Sequence, residues 1–460
     1  MDLGNKKTII KPFEVIGSIF LSYLIFICLI LVFNQANSNR VTSFIIVNIS
    51  AIAGILFLNF RLKTHLGFSL IRILFIGYAI KLIIGYLFWE FYIFPGYLLD
   101  PGSKMFFAHR EYLATYDLMR NLAEYRIKNG IFTFPIEYLY YKHVFLHFIM
   151  SNLYLSGGFH TLDIAIQNIL FSLYTAVIIS FFVKLMAGNI KQVKWALLLA
   201  VYQPFSMIST IIWRDNVGQF FVVLGVFMVF VVVNKKYNIN TIITLLVASI
   251  LMYIQRLYYA FFPILIVIVN SFLSKKRRFQ SIIIVPFVLF FIYFNSAFLE
   301  VDDSQEVYGA NISGVKLWLF LPINLVRLFI GPFPWTNWFN FDDASILLIA
   351  DYLQVVINGT YVYFVIMFYN NRKYRKNAYV NNSFFLVAFL LFMFSALGTK
   401  QIHVAYMSMG AVFLIPIVVQ IAGTVRFQKT LLTIFMGFII LNVLAILGGI
   451  SGHGYGGMFR

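Results

Sequence analysis

The sequence predicts an all-α, polytopic integral membrane protein, one transmembrane domain over residues 1–460 with about 13 spanning helices. Three observations carry this reading. Only 11% of the 460 residues are charged and 61% are hydrophobic, whereas soluble domains carry about 25% charged residues. Apolar runs of about 20 residues recur from end to end, the length that crosses a hydrocarbon core of roughly 30 Å. The basic residues cluster in short loops between those runs, as cytoplasmic loops do under the positive-inside rule. The net charge of +18 therefore predicts a lipid bilayer, and no nucleic acid, as the partner.

Each element follows in chain order. The chain opens on the basic stretch MDLGNKKTIIKP. The apolar run after it, 13–34, is full-length and lacks a small-residue cleavage site, which predicts a retained first helix with its N-terminus in the cytoplasm. Basic clusters at Arg61/Lys63, Lys184/Lys191/Lys194, Lys235/Lys236, KKRR at 275–278, NRKYRK at 371–376 and Arg426/Lys429 mark the same side. Consecutive clusters must be separated by an even number of spans. Helices over 13–34, 41–60, 67–89, 163–184, 195–212, 217–233, 241–254, 257–272, 280–298, 344–370, 382–397, 403–421 and 428–449 satisfy that parity. The pair 241–254 and 257–272 is short enough to be one tilted helix or a re-entrant hairpin; charge parity favours two helices. The lone Cys28 leaves no disulfide within the chain and no cysteine-based metal site.

Two outer segments are long, 90–162 and 299–343. In the first, HREYLATYDLMRNLAEYRIKNG places Tyr112, Leu113, Tyr116, Met119 and Leu122 at helical spacing, which predicts a helix lying in the membrane interface. In the second, Pro332 and Pro334 break any helix, and Trp335 and Trp338 supply surface anchors. Of the 17 acidic residues, only Asp2 and Glu14 fall on the cytoplasmic side of this map. Acidic residues contribute little to orientation, so the outward bias is independent of the rule that drew the map. Polar chemistry is expected at the outer face.

No GxxxxGK[ST] loop, HExxH, Cys/His cluster or GxSxG elbow occurs, which removes the main support for ATP-driven transport and metalloprotease chemistry. What remains is an outer set of opposite charges. Arg214 and Asp215, in WRDN, interrupt two apolar runs at the outer end of the fifth span. Neighbours in sequence do not face each other on a helix, so a mutual salt bridge is a poor account of both. Either they cap an interface, with Arg214 snorkelling to water, or they face a polar site. Arg256, in YIQRLYY beside Tyr258, combines a fork for phosphate oxygens with an aromatic surface for sugar; its plain alternative is a turn residue in an aromatic belt. Lys400 and His403 in GTKQIH, Arg110 beside His109, and Arg327 ahead of GPFPW extend the cationic set. Glu90, Asp100, Asp117 and Asp163 are the carboxylates of the same layer. One of them, Glu90 or Asp100 above all, is a candidate base for an attacking hydroxyl, against the plain alternative of a solvated loop residue. The set fits an anionic, lipid-anchored, already activated substrate.

The stretch from FHTLDIAIQNILFSLYTAVIISFFVKLMAG through ALLLAVYQPFSMISTIIWRDNVGQFFVVLGVF resembles bacterial polysaccharide polymerases of the Wzy type, and also polyprenyl-phosphate-dependent glycosyltransferases of the GT-C fold. IGPFPW and GTKQIH add to a likeness that spans about residues 155–410. The resemblance implies a multi-pass enzyme of the bacterial plasma membrane with its active site facing outward. Such an enzyme joins undecaprenyl-diphosphate-linked repeat units of capsule or O-antigen. It implies substrate-binding roles for Arg214, Arg256, Arg110, Lys400, Arg327 and Tyr258, and catalytic roles among Asp215, Asp100, Glu90 and His403. No cofactor or protein-held metal is implied, with a divalent cation on the diphosphate left open. A chain-length regulator or a flippase is the implied protein partner. Two other readings stand beside this one: a GT-C transferase adding one sugar from a polyprenyl-phosphate donor, and a flippase or transporter, for which Lys81 and Arg72 in the third span are the candidates. The sequence departs from the GT-C pattern in one respect, because its long acidic loop follows the third span rather than the first.

Overall fold

The computed structural model describes residues 12–34, 40–88, 107–135, 144–155, 161–186, 188–203, 215–233, 239–255, 257–274, 345–370, 382–392 and 404–421, and Lys429. Among these residues every regular element is helical. Among the described residues three helices are long and apolar enough to cross a membrane: Pro12–Phe33, Val41–Leu66 and Asp163–Leu185. The described residues are thus those of a helical protein of membrane type. The spans expected at 280–298 and 428–449, and the second outer segment, lie outside the described residues.

Two compact units divide the chain: Met1–Tyr202 with Ser206–Leu257, and Gln203–Phe205 with Tyr258–Arg460. The first contains α1 (Pro12–Phe33), α2 (Arg40–Leu66), α3 (Ile71–Phe88), α4 (Phe107–Asn129), α5 (Val144–Leu155), α6 (Thr161–Leu185), α7 (Ile190–Val201), α8 (Asp215–Val233) and α9 (Ile239–Gln255). Helix α6 is its axis. It is apolar around its whole circumference, the pattern of a helix with neighbours on every side, and its apolar stretch is completely buried. Helices α1, α2, α3, α5, α7 and α8 all pack on it. By contrast α1 and α2 bury one face each and leave Leu24, Ile49 and Phe60 exposed, apolar side chains of the kind that hydrocarbon covers.

Helix pairing fixes which ends lie together. Helices α1 and α2 form an antiparallel hairpin. At one end Glu14 lies 3.5 Å from Arg61 and 3.3 Å from His65; at the other Asn34 Nδ2 donates to Ser43 Oγ at 3.0 Å. Midway, Ser22 Oγ donates to the Gly54 carbonyl at 2.7 Å. A Cβ on Gly54 would meet the Ser22 carbonyl oxygen at 3.0 Å, so glycine is what lets the two backbones approach. The hairpin continues into α3 through Gly67, whose φ of 81° is the left-handed conformation that ends a helix. Asn59 Oδ1 then accepts from the backbone of Leu70 and Ile71 at 2.8 and 3.3 Å and so satisfies donors at the start of α3.

Helix α8 runs parallel to α6, as the ring pairs Phe171–Phe220 (5.2 Å) and Phe182–Phe230 (5.6 Å) show. Helix α9 follows α8 after a short link and packs along it, so the pair is antiparallel; a Cβ on Gly225 would meet Met252 and the Ala248 carbonyl. The beginnings of α6 and α8 and the end of α9 therefore share one end of the unit. That is also where α1 ends and α2 begins.

The bounds of α7 differ from expectation. A helix was expected over 195–212, yet α7 spans Ile190–Val201. Asn189 accepts from Gln192 N at 2.9 Å and Gln192 Oε1 accepts from Asn189 N at 3.0 Å, a capping box that starts the helix early. Pro204 restricts the residue before it, so the helix stops three residues short of it. A capping box and a proline, not hydropathy, bound the helix, and the expected continuation over 204–212 lies outside the described residues.

Helix α3 packs on α6 and α7 through Gly77, where an added Cβ would collide with Val201. Gly77→Val is expected to lower stability by about 1–3 kcal/mol through overpacking, read as a lower Tm of the purified protein in detergent. Gly17→Ala, where nothing lies within 4 Å of the added carbon, is the control and should leave Tm unchanged or raised.

The second unit, which resumes at Tyr258 within the 3-10 turn Leu257–Phe261, holds α10 (Phe262–Ser274), α11 (Ser345–Asn370), α12 (Asn382–Phe392), α13 (Val404–Ala411) and α14 (Ile415–Val418). The break between Gln255 and Phe262 divides 239–274 into two shorter apolar helices in place of one long tilted helix. Phe392 stacks on Phe413 at 5.3 Å and meets Tyr259 edge-on at 5.1 Å. Gln420 Nε2 donates to Asn382 Oδ1 at 2.7 Å, a polar tie between helix ends.

Candidate functional site

Polar side chains of the first unit gather where α6 begins. Asp163, in its first turn, is fully buried and lies where a helix N-terminus favours negative charge. Its Oδ2 accepts from Ser43 Oγ at 3.0 Å, and Ser43 Oγ in turn accepts from Asn34 Nδ2. One carboxylate thus laces the ends of three helices. One turn deeper, Gln167 and Asn168 are fully buried, and Gln167 Oε1 accepts from the Tyr23 hydroxyl at 3.1 Å. Tyr174 and Ser22 share a hydrogen bond of 3.0 Å, and the Tyr78 hydroxyl donates to Asn48 Oδ1 at 2.6 Å.

Two buried cations accompany this layer. Lys81 lies one helical turn beyond Gly77 on the same face of α3 and is fully buried, whereas Arg72 is exposed. Arg126 lies near the end of α4, also buried. Its Nε donates to the Ile131 carbonyl at 2.7 Å, and Nη1 donates to the Phe148 carbonyl and Ser151 Oγ at 3.1 and 2.6 Å. The guanidinium stacks 4.0 Å from the Phe148 ring centre. Burial pulls its pKa below the ordinary guanidinium value, with the Tyr23 phenol opposing that shift. These bonds close the α4–α5 hairpin around Gly130, whose φ of 115° only glycine adopts without strain.

The sequence-derived residues stand in three groups. Asp215 is the first residue of α8, and its helix start shares the Asp163 end of the unit; its side chain lies outside the described residues. Arg110 in α4 and Tyr258 in the 3-10 turn have described backbone but no described side chain. Glu90, Asp100, Arg214, Arg256, Arg327, Lys400 and His403 lie outside the described residues altogether. Among the described residues no group of three His, Cys, Asp or Glu gathers to hold a metal.

Arg126 is the residue that sequence reasoning passed over. The signal was present: Met119, Leu122 and Ala123 form the buried stripe of α4, and Arg126 continues it at helical spacing. A basic residue on the buried stripe of an amphipathic helix departs from the pattern that puts charge on the opposite face. Gln167 and Asn168 were hidden differently, inside a helix whose average is apolar. No protein-family model, curated protein or solved structure matches the chain.

Proposed function

We propose that the chain is a glycosyltransferase of the outer leaflet of a bacterial plasma membrane, polymerising undecaprenyl-diphosphate-linked oligosaccharide repeat units. One observation carries the reading. Helices α6 and α8 begin, and α9 ends, at one end of a bundle whose buried polar groups gather there. Arg214 precedes the first residue of α8, and Arg256 follows the last residue of α9. Helix N-termini and arginine forks are the groups that hold phosphate oxygens. In the proposed reaction Arg214 and Arg256 hold the diphosphate of the growing chain. A carboxylate, Asp215 or one of Asp100 and Glu90, accepts the proton of the incoming sugar hydroxyl. The hydroxyl oxygen bonds to the anomeric carbon as the bond from that carbon to the diphosphate oxygen breaks. The lipid–phosphate linkage supplies the free energy, in keeping with a chain that carries no nucleotide-binding motif.

A second reading, a flippase for lipid-linked glycan, is favoured by Lys81, because a fully buried lysine inside a helix is costly at membrane depth and marks substrate or ion pathways. The surface glycan of a strain lacking the gene separates the readings. Surface glycans one repeat unit long are expected. Full-length chains missing a single branch sugar would replace polymerisation with single-sugar transfer. Lipid-linked units accumulating on the cytoplasmic side would favour the flippase.

A further inference from the structure

Of the α4 residues expected to face the membrane, Met119 and Leu122 have described side chains, and both are fully buried. They share a stripe with Arg126, whose bonds to the Phe148 carbonyl and Ser151 Oγ lead into α5, and α4 packs on α5. Protein therefore covers that stripe. Apolar surface appears instead around the turn at Gly130, where Ile127, Ile131 and Phe132 are 64%, 60% and 92% exposed. Large apolar side chains gathered in the open mark a surface that lipid or a partner covers.

The polar groups of the same turn point inward. Gly130 N donates to the Arg126 carbonyl and Thr133 N to the Gly130 carbonyl, both at 2.9 Å. The Ile131 carbonyl accepts from Arg126 Nε at 2.7 Å, and Asn129 Nδ2 donates to the Tyr125 carbonyl at 2.9 Å. Phe134, 5.5 Å from the Phe148 ring, pins the far side of the turn to α5. Internal satisfaction of polar groups is what hydrocarbon requires of a segment it covers. Helix α5 packs on α1 and α9, which carry the exposed side chains of Leu21, Leu24, Leu246 and Ile250. The hairpin thus stands beside helices whose own outward surface is apolar. Lys128, exposed among the three apolar residues, adds a cation that complements lipid phosphate.

We propose that the α4–α5 turn is inserted in the bilayer, with Ile127, Ile131 and Phe132 among phospholipid acyl chains. The bonds of Arg126 keep the turn in one shape, so the inserted side chains act as a rigid anchor for α5 and for the helices it packs on. The anchor is a property of the fold and stands whether or not the chain transfers sugar. Its test reads depth and no glycan.

Cys28 is the sole cysteine of the sequence and is exposed, so Cys28→Ser gives a background for single spin labels. Phe132→Cys and Ile127→Cys are labelled with a nitroxide in the full-length protein, which is then reconstituted in phosphatidylethanolamine–phosphatidylglycerol vesicles. Both side chains are exposed, so their replacement leaves the hairpin packing in place. Oxygen, which concentrates in hydrocarbon, and a water-soluble nickel chelate are compared as relaxation agents. Collisions with oxygen are expected to exceed those with nickel several-fold at both sites. The reverse is expected at Lys191→Cys, an exposed position at the start of α7. Nickel collisions prevailing at 127 and 132 would put the turn in water and overturn the anchor. An immobilised label reached by neither reagent would put the turn against protein, a second copy of the chain included, and would overturn its assignment to lipid.

Discussion

Asp163→Ala is expected to lower the stability of the first unit by about 1–2 kcal/mol, and Asp163→Asn by distinctly less. The carboxylate accepts the Ser43 hydroxyl, and Ser43 accepts from Asn34; alanine leaves a buried hydroxyl without its acceptor, whereas asparagine keeps a carbonyl oxygen there. A hydrogen bond to a charged group contributes about 1.5–3 kcal/mol in water-soluble proteins. Interhelical bonds in membrane proteins average nearer 0.6 and reach about 1.7 kcal/mol, because the helices separated within the bilayer find other partners. The membrane figures decide the magnitude, so the loss falls at their upper end. Thermal unfolding in detergent reads it. A double-mutant cycle with Ser43→Ala isolates the pair, and a coupling of about 0.5 kcal/mol or more is expected for residues in direct contact. A higher Tm for Asp163→Ala would mean that the carboxylate is held against its desolvation cost. Asp163 would then belong with the chemistry rather than with the lacing of α1, α2 and α6.

How much of this was legible beforehand differs by level. Hydropathy located α1 within a residue at each end, 13–34 against Pro12–Phe33, because that helix begins and ends where the apolar run does. It stopped α2 at 60, while the helix continues to Leu66. The residues FRLKTHL are polar enough to end a membrane run but are ordinary helix formers, and the stop is Gly67 in its left-handed conformation. The capping box at Asn189 and Gln192 was readable in the same way. What no reading of one chain supplies is which helices touch. Ser43, Asn34 and Asp163 are separated by up to 129 positions and acquire a shared role only once α1, α2 and α6 are side by side. Charge counting led to short turns and long outer segments for the site, at residues whose side chains lie outside the described ones. The buried layer adds Gln167, Asn168, Tyr23 and Arg126, polar groups diluted among apolar neighbours. Their chemistry is set by what they face, and facing is a tertiary property.

The pair in WRDN carries the larger expected loss. Arg214→Lys keeps the charge but loses the planar fork that matches a diphosphate, and is expected to impair polymer formation if Arg214 grips the leaving group. Asp215→Asn preserves size and hydrogen bonding while removing the charge, so its loss would come through proton transfer or through arginine orientation. Asp215 begins a helix of 19 residues, where a negative charge is favoured by the helix dipole by about 0.3–1 kcal/mol. Its removal should therefore cost little stability. Activity is another matter. One charge-assisted hydrogen bond contributes about 1.5–3 kcal/mol, or roughly 10- to 150-fold in rate when it is expressed only in the transition state. The two effects differ enough to be told apart in one experiment. Variants restored to a deletion strain are compared for membrane level and for glycan length. Normal protein level with glycans collapsed to short chains is the expected outcome for both substitutions. Near-normal glycan at normal protein level would make Arg214 and Asp215 an interfacial cap, the arginine snorkelling to water and the aspartate complementing the first turn of α8, and would move the search for the catalytic groups to Glu90, Asp100 and His403.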